Sequence, residues 1–84
     1  MPNSPYNLII ADDDSTIRNL LSIKATQHGF RPATVSNGQE VLELMKDHVD
    51  VVLLDLHMPK MDGFHCLKEL SKLHPQVPII ILSG

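Results

Sequence analysis

The chain has 84 residues, a formal net charge of −3 and one cysteine. This length is sufficient for one small domain, and one cysteine excludes an intrachain disulfide and a zinc site made of several thiolates. No apolar run approaches the roughly 20 residues of a membrane span, and the first residues do not resemble a secretory signal. The seven basic residues are dispersed, unlike the basic patch of a nucleic-acid binder. We therefore expect a cytoplasmic protein that contacts neither a membrane nor nucleic acid directly.

The first predicted elements are a buried strand and a helix. Residues 7–11 form an apolar run that stops at a series of acids and is too short for a helix. A helix is predicted over residues 15–28, with Asp14 or Ser15 as its N-cap. Its apolar side chains at helical spacing are Ile17, Leu20, Leu21 and Ala25. Gly29 follows, where helices often end in a left-handed conformation.

The middle of the chain predicts a strand, a helix and another strand. Residues 30–35 form the second strand, and Pro32 suits an edge position because it lacks an N–H group. Residues 39–48 form a second amphipathic helix, whose inner side is predicted to carry Val41, Leu42, Leu44 and Met45. Residues 50–55 form the third strand, in which residues 51–54 are all apolar and Asp55 is the final acid. A continuous apolar run is typical of a strand covered on both faces.

The last predicted elements are a loop over residues 56–63, a helix over residues 64–74 and a strand over residues 77–82. In the helix, Phe64, Leu67, Leu70 and Leu73 recur every three residues. Strands and helices thus alternate along the whole chain, which indicates an α/β domain with a parallel sheet and right-handed crossovers. In such sheets, ligands bind beyond the carboxyl ends of the strands.

The candidate site residues lie at the carboxyl ends of three predicted strands. Asp12, Asp13 and Asp14 follow the first strand, Asp55 ends the third, and Ser83 follows the fourth. The fold would bring them to one edge of the sheet, where clustered carboxylates attract a hard divalent cation such as Mg²⁺. The triple-aspartate run alone could also serve only to cap the next helix. Two acidic strand ends and a hydroxyl in one sheet favour a binding site.

Three segments resemble the receiver domain of two-component response regulators: residues 8–14 (LIIADDD), 51–63 (VVLLDLHMPKMDG) and 78–84 (PIIILSG). The middle segment, with Met-Pro and Met-Asp-Gly after an acid that ends a strand, is the most specific. The resemblance implies a flavodoxin-like, doubly wound parallel sheet of order 2-1-3-4. It also implies that residues 1–84 are a single, incomplete receiver domain, without the family's fourth helix, fifth strand and fifth helix.

The resemblance also implies a role for each polar residue. Asp55 is the phosphoacceptor, which takes a phosphoryl group from a sensor histidine kinase or a phosphotransfer protein. Asp13 and Asp55 ligate Mg²⁺ directly together with the backbone carbonyl of His57, and Asp12 holds the site through water or hydrogen bonds. Ser83 is the switch hydroxyl that turns toward the phosphoryl group. Such a domain is not an enzyme beyond its own phosphorylation and dephosphorylation. The lysine that the family places after its fifth strand has no counterpart in the sequence.

Two other functions compete with the phosphoacceptor. A Mg²⁺-dependent phosphohydrolase of the dehalogenase type also uses a strand-end aspartate, but it needs a second aspartate where this chain has His57. The stronger alternative is a receiver-like interaction module that associates with a partner without being phosphorylated.

The fourth strand is also a predicted site of self-association. Residues 77–82 carry no charge and end in four apolar side chains, and an exposed apolar edge strand is a template for pairing with another chain. We further expect apolar side chains of the sheet to be open to water, namely Ile10, Val52, Leu54, Ile79 and Ile81. The sequence therefore predicts that the chain associates, by pairing at the fourth strand, by exchange of elements between chains or with its missing segment as a cleaved partner. The alternative is a rearranged fold in which the sheet closes differently.

Overall fold

The computed structural model describes residues 6–58 and 63–82. Ser83, the predicted switch hydroxyl, lies outside the described residues, as does the segment 59–62 of the predicted loop. The described elements are β1 (Tyr6–Ala11), α1 (Ser15–Gln27), β2 (Phe30–Val35), α2 (Gly38–Leu44), β3 (Val51–Leu54), α3 (Gly63–Leu73) and β4 (Ile79–Ile81). No helix within these ranges has the length and hydropathy that crossing a membrane requires.

The four described strands form one parallel sheet in the order β2-β1-β3-β4. This confirms the predicted order and the edge position of Pro32, whose strand pairs only with β1 among the described elements. In the register, Ala11 lies beside Val35 on one side and beside Leu54 on the other. The last residues of the two central strands are therefore neighbours.

The side chains of each strand alternate between the two faces of the sheet, and helices cover both faces. In β1, Leu8 and Ile10 point toward α1 and pack against Ala25. Ile9 and Ala11 point to the opposite face, where they join a larger cluster with side chains of α2 and α3. The members from those helices include Val41, Cys66 and Leu70. This two-sided burial confirms the expected parallel sheet between helices.

The expectation that the sheet interior would be open to water is wrong for three of the five named residues. Ile10, Val52 and Leu54 are each 0% exposed. Ile10 lies beneath α1, whereas the other two are buried in the cluster with α2 and α3. The β4 residues differ, because Ile79 is half-buried and Ile81 is 40% exposed. Among the five named residues, the exposed side chains are thus those of β4.

The buried stripe of α1 is narrower than its apolar pattern predicts. Ala25 is buried and Leu21 is half-buried, but Ile17 and Leu20 are 39% and 57% exposed. The helix ends at Gln27, one residue before the predicted end. Gly29 has φ of +87°, which confirms the predicted left-handed residue after it.

The other helices differ from prediction at particular positions. The second helix, α2, ends at Leu44 and not at residue 48, because the N–H groups of Lys46 and Asp47 bond three residues back and tighten the chain into turns. In α3, Leu70 is buried while Phe64 and Leu73 are 60% and 57% exposed. Side chains nine residues apart on an α-helix point in opposite directions, so a series with a spacing of three cannot remain on one face.

Candidate functional site

Three carboxylates meet at the carboxyl ends of β1 and β3. Asp12 and Asp13 follow β1, Asp55 follows β3, and the Asp55 N–H group donates to the Ala11 carbonyl oxygen at 2.9 Å. One carboxylate oxygen from each aspartate lies within 4.8 Å of the others. Asp12 and Asp55 are only 7% and 8% exposed, whereas Asp13 is exposed. These three residues form the acidic cluster.

Asp12 is held at each of its polar groups. Its N–H group donates to the Val35 carbonyl oxygen at 3.2 Å, which continues the β1–β2 ladder. Its Oδ1 atom accepts the Asp14 N–H group at 2.9 Å. Its carbonyl oxygen accepts a hydrogen bond from Arg18 Nη1 at 2.7 Å. The end of β1 is thus fixed to the strand beside it and to the helix that follows.

Asp14 confirms the capping role considered for the acidic run. Its Oδ1 atom accepts the N–H groups of Thr16 at 2.9 Å and Ile17 at 3.3 Å, so it is the N-cap of α1. The other two aspartates of the run belong to the acidic cluster. Among the described hydrogen bonds, neither Asp12 nor Asp13 accepts an N–H group of α1, so helix capping accounts for Asp14 alone.

Asp55 is held by the loop and helix that follow it. Its Oδ1 atom accepts the His57 N–H group at 3.0 Å, and the next residue, Leu56, accepts the Gly63 N–H group at 3.0 Å. A β-carbon at Gly63 would overlap the Leu56 Cα atom and the Asp55 carbonyl oxygen. Glycine is thus required for α3 to begin against the backbone of Asp55.

The electrostatics of the acidic cluster favour a cation. Burial raises the pKa of Asp12 above its ordinary value of 3.8, and the charges of Asp55 and Asp13 raise it further, against a lowering effect of the Asp14 N–H hydrogen bond. Burial together with neighbouring like charges makes ionisation costly. A hard divalent cation with a preference for carboxylate oxygens relieves both costs. The donor set therefore fits Mg²⁺.

Comparison with known proteins identifies the family. The sequence profile of the response regulator receiver domain matches residues 8–84. The chain belongs to the response regulator receiver domain family. It is 36% identical to the transcriptional regulatory protein GlrR of Escherichia coli strain K12 over its whole length, and 38% identical to the response regulator RR06 of Streptococcus pneumoniae over 93% of its length. The receiver domain spans 19% of GlrR and 36% of RR06.

A solved structure shows the same fold. The response regulator TrrA of Thermotoga maritima, crystallised in complex with Mg²⁺-BeF, superposes with a TM-score of 0.88 at 30% identity. The alignment covers 93% of this receiver domain and 69% of the TrrA chain. The flavodoxin-like fold expected from the sequence is thereby confirmed. Receiver domains act in signalling and are not enzymes in the usual sense.

The structure brings together the predicted acids, but sequence analysis missed one polar residue beside them. Asp12, Asp13 and Asp55 converge, and the His57 backbone lies directly against Asp55. Sequence analysis did not identify Arg18, which reaches back from α1 to Asp12. The sequence did carry one signal, namely a positive charge near the start of a helix. Such a charge opposes the helix macrodipole, so it is better tolerated where it has a specific partner.

Proposed function

We propose that this receiver domain is a phosphoacceptor module of a two-component phosphorelay. Asp55 takes a phosphoryl group from a sensor histidine kinase or a phosphotransfer protein in a Mg²⁺-dependent reaction. The observation that carries the proposal is the convergence of Asp12, Asp13 and Asp55, with one carboxylate oxygen of each within 4.8 Å of the others. The Mg²⁺-BeF complex of the related TrrA supports it.

The residues proposed to hold the metal ion are those of the acidic cluster with one backbone group. Asp13 and Asp55 are the direct carboxylate ligands, the His57 carbonyl oxygen is a third ligand, and Asp12 acts through water or hydrogen bonds. Bound Mg²⁺ would neutralise charge on the transferred phosphoryl group and align it for transfer. The oxygen-only donor set and the buried position of two of the acids support this assignment.

The proposed transfer uses Asp55 as the nucleophile. A carboxylate oxygen of Asp55 forms a bond to phosphorus, the phosphorus–nitrogen bond to the donor histidine breaks, and the imidazole nitrogen retains the electron pair. The His57 N–H group already holds Asp55 Oδ1 at 3.0 Å, which restrains the carboxylate and so contributes to alignment. The Ser83 hydroxyl is proposed to donate to the phosphoryl oxygens as the switch, and the domain has no catalytic activity beyond its own phosphorylation and dephosphorylation.

The proposal includes a cellular setting and partners. The receiver domain acts in the cytoplasm and contacts a kinase or phosphotransfer protein but neither a membrane nor nucleic acid directly. A second function, association without phosphorylation, is favoured by one observation. On β4, Ile80 and Ile81 are 52% and 40% exposed, and the 84-residue chain would pair with another copy along this strand.

Incubation with phosphoramidate, with and without Mg²⁺, separates the candidate functions. A phosphoacceptor gains one phosphoryl group by mass spectrometry only with Mg²⁺, whereas a phosphohydrolase releases phosphate continuously and an interaction module does neither. Asp55→Asn should abolish labelling. The matched control is Asp47→Asn, which removes the same charge from an exposed residue after α2 and should label like the wild type. Labelling that persists in Asp55→Asn would contradict the proposal.

A further inference from the structure

Arg18 contacts the backbone beside the acidic cluster and not one of its carboxylates. Its Nη1 atom lies 2.7 Å from the carbonyl oxygen of Asp12, and its side chain is half-buried. That carbonyl belongs to the peptide group that joins Asp12 to Asp13. Hydrogen bonds with a charged donor are stronger than neutral ones, so this contact restrains rotation of the peptide group.

The restraint acts on Asp13 more than on Asp12. Asp12 is also fixed by its N–H group and its carboxylate, which bond to Val35 and Asp14. Asp13 is exposed, and no hydrogen bond or ion pair to another described residue holds its carboxylate. The direction in which Asp13 leaves the backbone therefore depends on the peptide group that Arg18 holds.

Arg18 does not neutralise the cluster by direct pairing. Within residues 6–58 and 63–82, no salt bridge joins it to a carboxylate, and the one ion pair found there is between His48 and Asp50. The guanidinium group bonds a backbone oxygen instead. This geometry favours an orienting role over a purely electrostatic one.

We propose that Arg18 is a positioning residue of the metal site, which holds the Asp12–Asp13 peptide group so that the Asp13 carboxylate faces the cation. The proposal rests on the proposed function, because it requires that the acidic cluster binds Mg²⁺. Groups that orient metal ligands are worth about 10- to 100-fold in metal affinity. The lower end of that range applies here, because the hydrogen bond is partly exposed.

Whether replacing Arg18 raises or lowers the Mg²⁺ affinity distinguishes a positioning role from a purely electrostatic one. Removing a positive charge near the acidic cluster tightens cation binding if only electrostatics matter. Losing the orientation of Asp13 weakens it. A structural role alone would lower the free energy of unfolding but leave the Mg²⁺ affinity of the folded fraction unchanged.

The test is a Mg²⁺ titration of the 84-residue chain, followed by the amide signals of Asp13 and Asp55. Arg18→Met should raise Kd about tenfold, and Arg18→Lys should raise it less because the charge and one donor group remain. The matched control is Arg31→Met, on the exposed side of the edge strand β2, whose Kd should stay at the wild-type value or fall slightly. Metal-free amide spectra report whether each variant is folded.

A Kd for Arg18→Met equal to or below that of the wild type would overturn the proposal. If Arg18→Met does not fold, Arg18→Lys is the test variant. A Kd for Arg18→Lys no higher than the wild-type value would then overturn the proposal. Absence of Mg²⁺ binding in the wild type would instead refute the proposed function, so the two failures are distinguishable.

Discussion

Gly63 donates its backbone N–H group to the carbonyl oxygen of Leu56 at 3.0 Å, which brings the start of α3 onto the end of β3. The two backbones are so close that a β-carbon at position 63 would overlap the Leu56 Cα atom and the Asp55 carbonyl oxygen. The helix start thus supports the residue on which the proposed chemistry depends.

Replacing Gly63 with alanine should destabilise the fold and disturb the acidic cluster. The added methyl group must displace backbone, because no flexible side chain can move away. We expect a loss of at least about 1–3 kcal/mol in the free energy of unfolding, as for overpacked sites, measured by urea denaturation. The amide signals of Asp55 and Leu56 should shift.

The control for this substitution is Gly29→Ala. Gly29 has φ of +87° and nothing within 4 Å of an added β-carbon, so alanine costs about 1–2 kcal/mol of backbone strain there and should leave the Asp55 amide unchanged. A Gly63→Ala variant with wild-type stability and an unshifted Asp55 amide would refute the close-packing argument.

The N-cap of α1 can be tested at Asp14. Its Oδ1 atom accepts two backbone N–H groups of the first turn, at 2.9 Å and 3.3 Å. Asp14→Ala should lower the free energy of unfolding by about 1 kcal/mol. Asp14→Asn keeps an acceptor oxygen and should lose clearly less. Equal losses in the two variants, measured by urea denaturation, would show that the cap is not responsible.

The parts of the fold that sequence predicted are those with a strong local signal. The short apolar run of β1 ends in acids, and the Asp55 strand is apolar throughout, so both strands and their adjacent acidic ends followed from pattern alone. Gly29 was predicted to be left-handed for a similar reason, since glycine has no β-carbon penalty at positive φ. The convergence of Asp12, Asp13 and Asp55 then followed from parallel topology.

The parts that sequence did not predict depend on distant neighbours. Helical spacing identifies the apolar positions of α1 but not how wide a stripe the sheet covers, so Leu20 was expected inside and is 57% exposed. Val52 was expected to be open to water, yet α2 and α3 bury it completely. The reach of Arg18 back to Asp12 depends on where the chain turns after β1 and has no periodic signature.

Asp12 should make stability depend on pH. Its pKa is raised above 3.8 in the fold, mainly by burial, so between 3.8 and the raised value the folded protein binds more protons than the unfolded one. Stability attributable to Asp12 therefore falls as pH rises through that window, and the penalty persists at neutral pH. Asp12→Asn lacks the penalty and retains an acceptor for the Asp14 N–H group.

The expected result is that metal-free Asp12→Asn is more stable than the wild type, with a difference that grows as pH rises from near 3.8 toward neutrality. The difference in the free energy of unfolding is measured by urea denaturation at several pH values in the presence of a metal chelator. The same series on Asp47→Asn, an exposed acid, should show no such growth. A pH-independent or reversed difference for Asp12→Asn would contradict the assigned pKa direction.

Association through β4 can be tested by sedimentation of the 84-residue chain at micromolar concentration. Ile80 is 52% exposed, and in the described part of the chain no strand pairs with the outer edge of β4. We expect oligomers in the wild type and monomers in Ile80→Lys, because a charge on an edge strand blocks pairing. Leu20→Lys, at an equally exposed helix position, should associate like the wild type. A monomeric wild type would refute this expectation.

The residue that carries the phosphoryl group is the most direct test of the proposed function. The direct measurement is labelling with phosphoramidate and Mg²⁺, reduction of the acyl phosphate with borohydride, and tandem mass spectrometry of the peptides. We predict that homoserine replaces Asp55, that Asp12 and Asp13 remain unmodified, and that omitting Mg²⁺ prevents the change. Modification at another residue, or equal labelling without Mg²⁺, would contradict it.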